Sequence, residues 1–244
     1  MSCPLSRPLI NLHLSKTGGT ELCTAVTRQT CRTHGANCAR RIYLQDGPWW
    51  VPYTDELSSW HKYNFAYPPR VHKNRTCAFR RTTRAVFFNV ESPLFDICDG
   101  FDYSVTLREP LTRAVSQARE LVRWGLISKH QCANYTEWRR VAPALFDNYY
   151  VRMLDGEATY LFPPGRVGRI HFKRAQSALH RFRLVTTLDN ATRDFKIAFN
   201  ITMPMHAKRP TSGSCALSPV DALRFHTDNA WDTTLYQTVA TRHF

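Results

Sequence analysis

Short apolar runs of strand character alternate along this chain with stretches in which apolar residues recur every three or four positions, a pattern that predicts α/β layering. Leu9 to Leu14 is the first such run; it breaks at Ser15-Lys16-Thr17-Gly18-Gly19-Thr20, and a helical pattern follows. Ala85 to Val90 (AVFFNV) and Tyr103 to Leu107 read as further strands, the latter suited to a buried parallel position. After Pro110, at home in a first helical turn, Leu111, Ala114, Val115, Ala118, Leu121 and Val122 make one apolar stripe, with Arg113 and Ser116 off it. A helix over 170–182 is expected, with Ile170, Ala175, Ala178, Leu179 and Phe182 on one side, and then a strand from Leu184 to Leu188. Ser218-Pro219 forms a cap-and-first-turn pair for a helix reaching Asp228, and Trp231, Leu235 and Val239 continue at four-residue spacing. The expected architecture is one domain over residues 1–244, a mostly parallel central sheet with helices on both faces. Residues 33–84 show no clear periodicity, and 204–218 read as a loop.

Two of the strand-to-helix junctions carry chemistry. At the first, glycines let backbone N–H groups approach a ligand, the following helix points its positive end there, and Lys16, Thr17 and Thr20 add a charge and hydroxyl donors. A phosphate-like ligand is implied. The order differs from the nucleotide-triphosphate loop, in which the Lys-Ser/Thr pair follows the glycines. At the second junction Arg108 sits at the carboxyl end of a strand, where ligands of open α/β sheets gather.

Charge and cysteine content extend this picture. Lys and Arg outnumber Asp and Glu by 33 to 19, a formal net charge of +14, which implies anionic partners. The cations are scattered and no zinc-finger spacing or RNA-binding aromatic signature is present, so a sulfated or carboxylated polysaccharide is favoured over nucleic acid. Arg80, Arg81 and Arg84 are candidates to meet such a glycan, and Trp49, Trp50 and Trp60 to stack on its sugars. The eight cysteines include no C-x-x-C pair, permit four disulfides and leave their connectivity open. Asn74, Asn134, Asn190 and Asn200 each begin an N-x-Ser/Thr acceptor, which tilts the reading toward a secretory lumen. No run of 18 apolar residues is present, and no metal cluster is expected, since His61, His72, His171 and His180 are spread out.

K-T-G-G-T after the first strand, followed by Y-S-V-T-L-R-E-P-L-T-R-A-V-S over 103–116, resembles the carbohydrate sulfotransferases of the Golgi, notably those acting on heparan and related glycosaminoglycans. Asp147 to Leu154 is similar to that family's D-N-x-x-x-R-x-L segment, and Asn229 to Tyr236 to its N-x-x-D-x-x-L-Y helix. The resemblance implies a P-loop-like three-layer sandwich and use of 3′-phosphoadenosine 5′-phosphosulfate (PAPS) without a metal. Lys16, Thr17, Gly18, Gly19 and Thr20 would hold the 5′-phosphosulfate, Arg108 and Ser116 the 3′-phosphate, and Lys208 and Arg209 would close over the 3′-phosphate and adenine. Lys16 would also stabilise the departing oxygen. Glu91, at the end of the strand before the Arg108 strand, is the expected general base, with His61 as the alternative. A Golgi location with an anchor not visible in this chain is expected, the cytosol being the alternative. A P-loop phosphotransferase and a catalytically silent glycan-binding relative stay open beside the sulfotransferase reading.

Overall fold

Leu9–Leu12 (β1) is buried at every residue, as is Phe87–Val90 (β3), and the two pair in parallel with Leu9 opposite Phe87. The computed structural model describes residues 3–35, 38, 77–203 and 215–241. Its remaining strands are Thr33–Gly35 (β2), Asp102–Leu107 (β4) and Leu184–Thr187 (β5). All pair in parallel, in the order β2-β3-β1-β4-β5.

Alternate strand residues serve opposite faces, as the pleat requires. Leu9 and Phe87 pack with the helices Gly19–Arg28 (α1) and Ala191–Phe199 (α8) around Leu22, Val26, Phe195 and Phe199. Ile10, Leu12, Phe88, Val105 and Leu107 enter a larger core on the other face. That core takes in Pro110–Arg123 (α3), Tyr135–Val141 (α4), Tyr149–Asp155 (α5) and Arg169–Leu179 (α7), together with Pro219–Asp228 (α9) and Ala230–Thr241 (α10). The short helices Cys77–Thr82 (α2) and Glu157–Tyr160 (α6) complete the set among the described residues. The molecule is therefore an α/β sandwich of three layers with an entirely parallel sheet.

Several expectations shift in detail. The 170–182 helix runs from Arg169 to Leu179, and Ile170 points to solvent at 64% exposure, because its neighbours Phe172 and Ala175 supply the buried side. Arg113 lies off the apolar stripe of α3 and is nonetheless buried, its guanidinium bonded to the Leu145 carbonyl and stacked 4.5 Å over the Tyr149 ring. All eight cysteines pair, as Cys3–Cys31, Cys23–Cys38, Cys77–Cys98 and Cys132–Cys215. Four disulfides fit an oxidising, secretory or extracellular compartment. No helix among the described residues is long and apolar enough to cross a membrane.

The segments Asp147 to Leu154 and Asn229 to Tyr236 meet each other. Asn148 receives the N–H groups of Trp231 (3.1 Å) and Asp232 (3.3 Å) at the start of α10, while Asp232 receives those of Tyr150 (2.9 Å) and Val151 (3.0 Å) at the start of α5. Each helix is thus capped by a side chain from the other. Asp147 and Arg152 form a fully buried pair beside this clamp, with further bonds from Arg152 to the carbonyls of Thr159, Tyr160 and Phe162.

Candidate functional site

In this sheet the connection leaving β1 runs toward the β2 edge and that leaving β4 toward the β5 edge, so a crevice opens between their carboxyl ends. The turn after β1 lies in that crevice. Lys16 has a left-handed backbone (φ 68°), as does Gly18 (φ 87°), and the double reversal swings the chain into α1. Gly18 precedes the helix without offering a side-chain cap, and the N–H groups of Gly19, Thr20 and Glu21 have no acceptor among the described residues. That leaves a positive helix terminus with donors to spare. Gly19 is fixed by contact: a Cβ there would stand 2.1 Å from the His13 ring.

The two anion motifs are joined directly. Arg108, half-buried at the end of β4, places Nη1 3.5 Å from the Lys16 carbonyl. The Tyr150 hydroxyl fixes Arg108 in turn, donating to its carbonyl (2.6 Å) and accepting its N–H (3.2 Å). Burial and the neighbouring Arg113 charge weaken the hold of Arg108 on its proton, against the pull of Glu109 and Asp189. Glu109 caps α3 by accepting from the N–H groups of Leu111 and Thr112, so these backbone donors are already taken at this junction. Ser116 lies partly buried on α3, one turn before Glu120.

Contacts from α3 then reach back to the turn. Ser15 Oγ donates to Gln117 Oε1 (2.7 Å), and Lys16 Nζ donates to Glu120 Oε2 (3.1 Å). Burial opposes the charge on Glu120, but hydrogen bonds from Trp124 and Lys16, with the Lys16 and Arg123 charges, hold its carboxyl below the usual range. Thr17 departs from the expectation of an outward donor. Its N–H and its hydroxyl both bond the Leu14 carbonyl, so it shapes the turn instead. Thr20 is exposed at the helix terminus.

Glu91 directly follows β3, the strand beside β1, and is buried. Its Oε2 lies 3.6 Å from His13 Nδ1. Burial lowers His13 to about 4, Glu21 opposing and Lys16 assisting, so at neutral pH its ring is uncharged. A polar chain supports this pair from beneath: Ser104 to Asn11 (3.0 Å), Asn11 to Asn89 (2.7 Å), and Asn89 Nδ2 against His13 Nδ1 (3.4 Å). Asn11, Thr17, Gly18, Gly19, Thr106 and Ala191 gather alongside the turn.

Lys16, Gly18, Gly19, Thr20, Arg108 and Glu91 therefore share the carboxyl ends of three adjacent strands, β3, β1 and β4. His61, Lys208, Arg209, Trp49, Trp50 and Trp60 lie outside the described residues. Arg80 does not face a glycan: it is buried 5.2 Å over the Phe88 ring, and Arg81 and Arg84 stand on the amino-terminal side of β3, away from the crevice. No group of three metal-ligating side chains is present among the described residues. His13, Gln117, Glu120, Tyr149 and Tyr150 belong to the site and were not singled out in the sequence. His13 alone carried a signal, as the one titratable residue in the Leu9 to Leu14 run that ends at the turn. No protein-family model matches this chain, and no curated protein matches it.

Proposed function

We propose that this chain transfers a sulfuryl group from PAPS to a hydroxyl of a carbohydrate, within the secretory pathway and most simply in the Golgi. The observation that carries the reading is the joining of two cationic strand ends, Lys16 after β1 and Arg108 after β4, beside an uncapped helix terminus. A ligand with a phosphosulfate at one end and a phosphate at the other fits two such points. The unclaimed N–H groups of Gly19, Thr20 and Glu21 take the first, and Arg108 and Ser116 take the second. A nucleoside triphosphate, with all its charge at one end, leaves the Arg108 point unused.

Each residue then has a defined task. Lys16 leaves Glu120 and neutralises the phosphate oxygen released as its bond to sulfur breaks. Glu91 accepts the acceptor's hydroxyl proton as the new sulfur–oxygen bond forms. His13, uncharged at neutral pH, packs against Glu91 at 3.6 Å and helps hold it at the end of β3. The excess of cations, with net charge +14, suits a polysaccharide bearing carboxylates or sulfates.

Titration calorimetry with adenosine 3′,5′-bisphosphate and with ATP tests the ligand. Binding of the first and not the second is expected, and preference for ATP overturns the assignment. Labelled PAPS with a panel of desulfated glycans tests the reaction. Glu91→Gln should lower turnover about a hundredfold or more while bisphosphate binding persists.

A further inference from the structure

Three of the four N-x-Ser/Thr acceptors fall on described residues, and the fold treats them alike. Asn134, Asn190 and Asn200 are all exposed, and all stand at helix boundaries: before α4, before α8 and after α8. In each the side-chain nitrogen, the atom that would be modified, has no hydrogen-bond partner among the described residues. Asn134 uses its oxygen to receive the Glu137 N–H (3.2 Å), Asn200 uses its oxygen to receive Lys196 Nζ (2.5 Å), and the Asn190 side chain makes no hydrogen bond among the described residues.

Two further observations point the same way. Every cysteine is in a disulfide, which places folding in the compartment where such acceptors are used. Helix α8 also leaves Ile197 77% exposed, the most exposed large apolar residue among those described. At 3.6 residues per turn Ile197 lies nearly in line with Asn190, two turns earlier, and Asn200 follows within one turn. The outer surface of α8 thus carries an apolar side chain between two modifiable amides, while Ala191, Phe195 and Phe199 turn inward.

We infer that Asn134, Asn190 and Asn200 carry N-linked glycans, and that the pair on α8 covers its exposed outer surface. In the modification the amide nitrogen bonds the anomeric carbon of a lipid-diphosphate-linked oligosaccharide, loses its proton, and the lipid diphosphate departs. Ala191 stands beside the Lys16 turn, so the Asn190 glycan stands on the rim of the crevice. Nothing in this assignment depends on the sulfotransferase reading.

The full chain, expressed through the secretory pathway of a eukaryotic cell, is analysed by intact mass before and after peptide-N-glycosidase digestion. A mass above that of the polypeptide, collapsing on digestion with conversion of residues 134, 190 and 200 to Asp in the peptide map, is the expected result. An unmodified amide at any of the three in the secreted protein overturns the assignment for that residue. Asn→Gln at each position should remove one glycan, and Thr136→Ala, Thr192→Ala and Thr202→Ala, which keep the asparagine, should do the same. Persistence of the mass increment in both variants of a pair overturns that site.

Discussion

At the residue scale the site is governed by what lies beneath it. Gly19 and His13 are in mutual contact, so Gly19→Ala must displace the ring or the turn. We expect a loss of about 1–3 kcal/mol in unfolding free energy, with bisphosphate affinity falling about tenfold or more because the helix terminus moves. Unchanged affinity by calorimetry would remove the turn from the ligand site. Two buried titrating groups make a second, opposed prediction. His13 falls from 6.5 to about 4 on folding, so its stabilisation is complete above pH 6.5 and is lost as the pH drops toward 4. Asp232 rises from 3.8 to about 6, chiefly through burial, so its contribution is complete below pH 3.8 and is lost as the pH rises through 6. Each is worth about 3 kcal/mol, and between pH 4 and 6 they offset each other. Relative to the parent, His13→Asn should gain stability on acidification from pH 7 to 4 and Asp232→Asn should lose it. Urea unfolding at the two pH values reads both, and parallel behaviour of the two variants would refute the pairing.

At the scale of elements, the clamp between Asn148 and Asp232 joins the starts of α5 and α10. Asp232→Ala leaves two buried N–H groups without acceptors and should cost about 2–4 kcal/mol, a fall in melting temperature of about 4–16 °C for a chain of this size. Calorimetric melting checks it. Much at this level was legible in the sequence. The Ser218-Pro219 start, the Asp228 end of α9 and the strand at 103–107 follow from capping residues and apolar runs that act locally. The Lys16 turn and Arg108 were legible because glycine and charge at a strand end have few other uses. What stayed hidden depends on distant partners. β2, Thr-His-Gly, has no apolar period and exists because it pairs with β3. Arg113 and Gln117 look like outward polar residues of α3, yet Tyr149, the Leu145 carbonyl and Ser15 meet them from elements not adjacent in sequence.

For the whole molecule, covalent ties matter as much as packing. Cys3–Cys31 brackets β1 and α1, Cys23–Cys38 ties α1 to the chain beyond β2, and Cys77–Cys98 spans β3. Reduction under native conditions should lower the melting temperature, at about 2–5 kcal/mol per bridge lost, and should loosen the Lys16 turn before the larger core. Hydrogen exchange of α1 amides against those of α3 in reducing buffer reads this order, and equal protection would contradict it.

The reciprocal caps between α5 and α10 also have a consequence for biosynthesis. Tyr149 and Tyr150, which hold Ser15 and Arg108 in place, ride on a helix whose own start is secured by Asp232, some eighty residues downstream. A chain translated only through α3 therefore holds both strand-to-helix junctions before the residue that secures Tyr149 and Tyr150 has been made. Ordering of the Lys16 turn and of Arg108 against α5 waits for translation to pass Asp232, and a premature stop before that codon removes the cap from the helix that carries their two tyrosine partners.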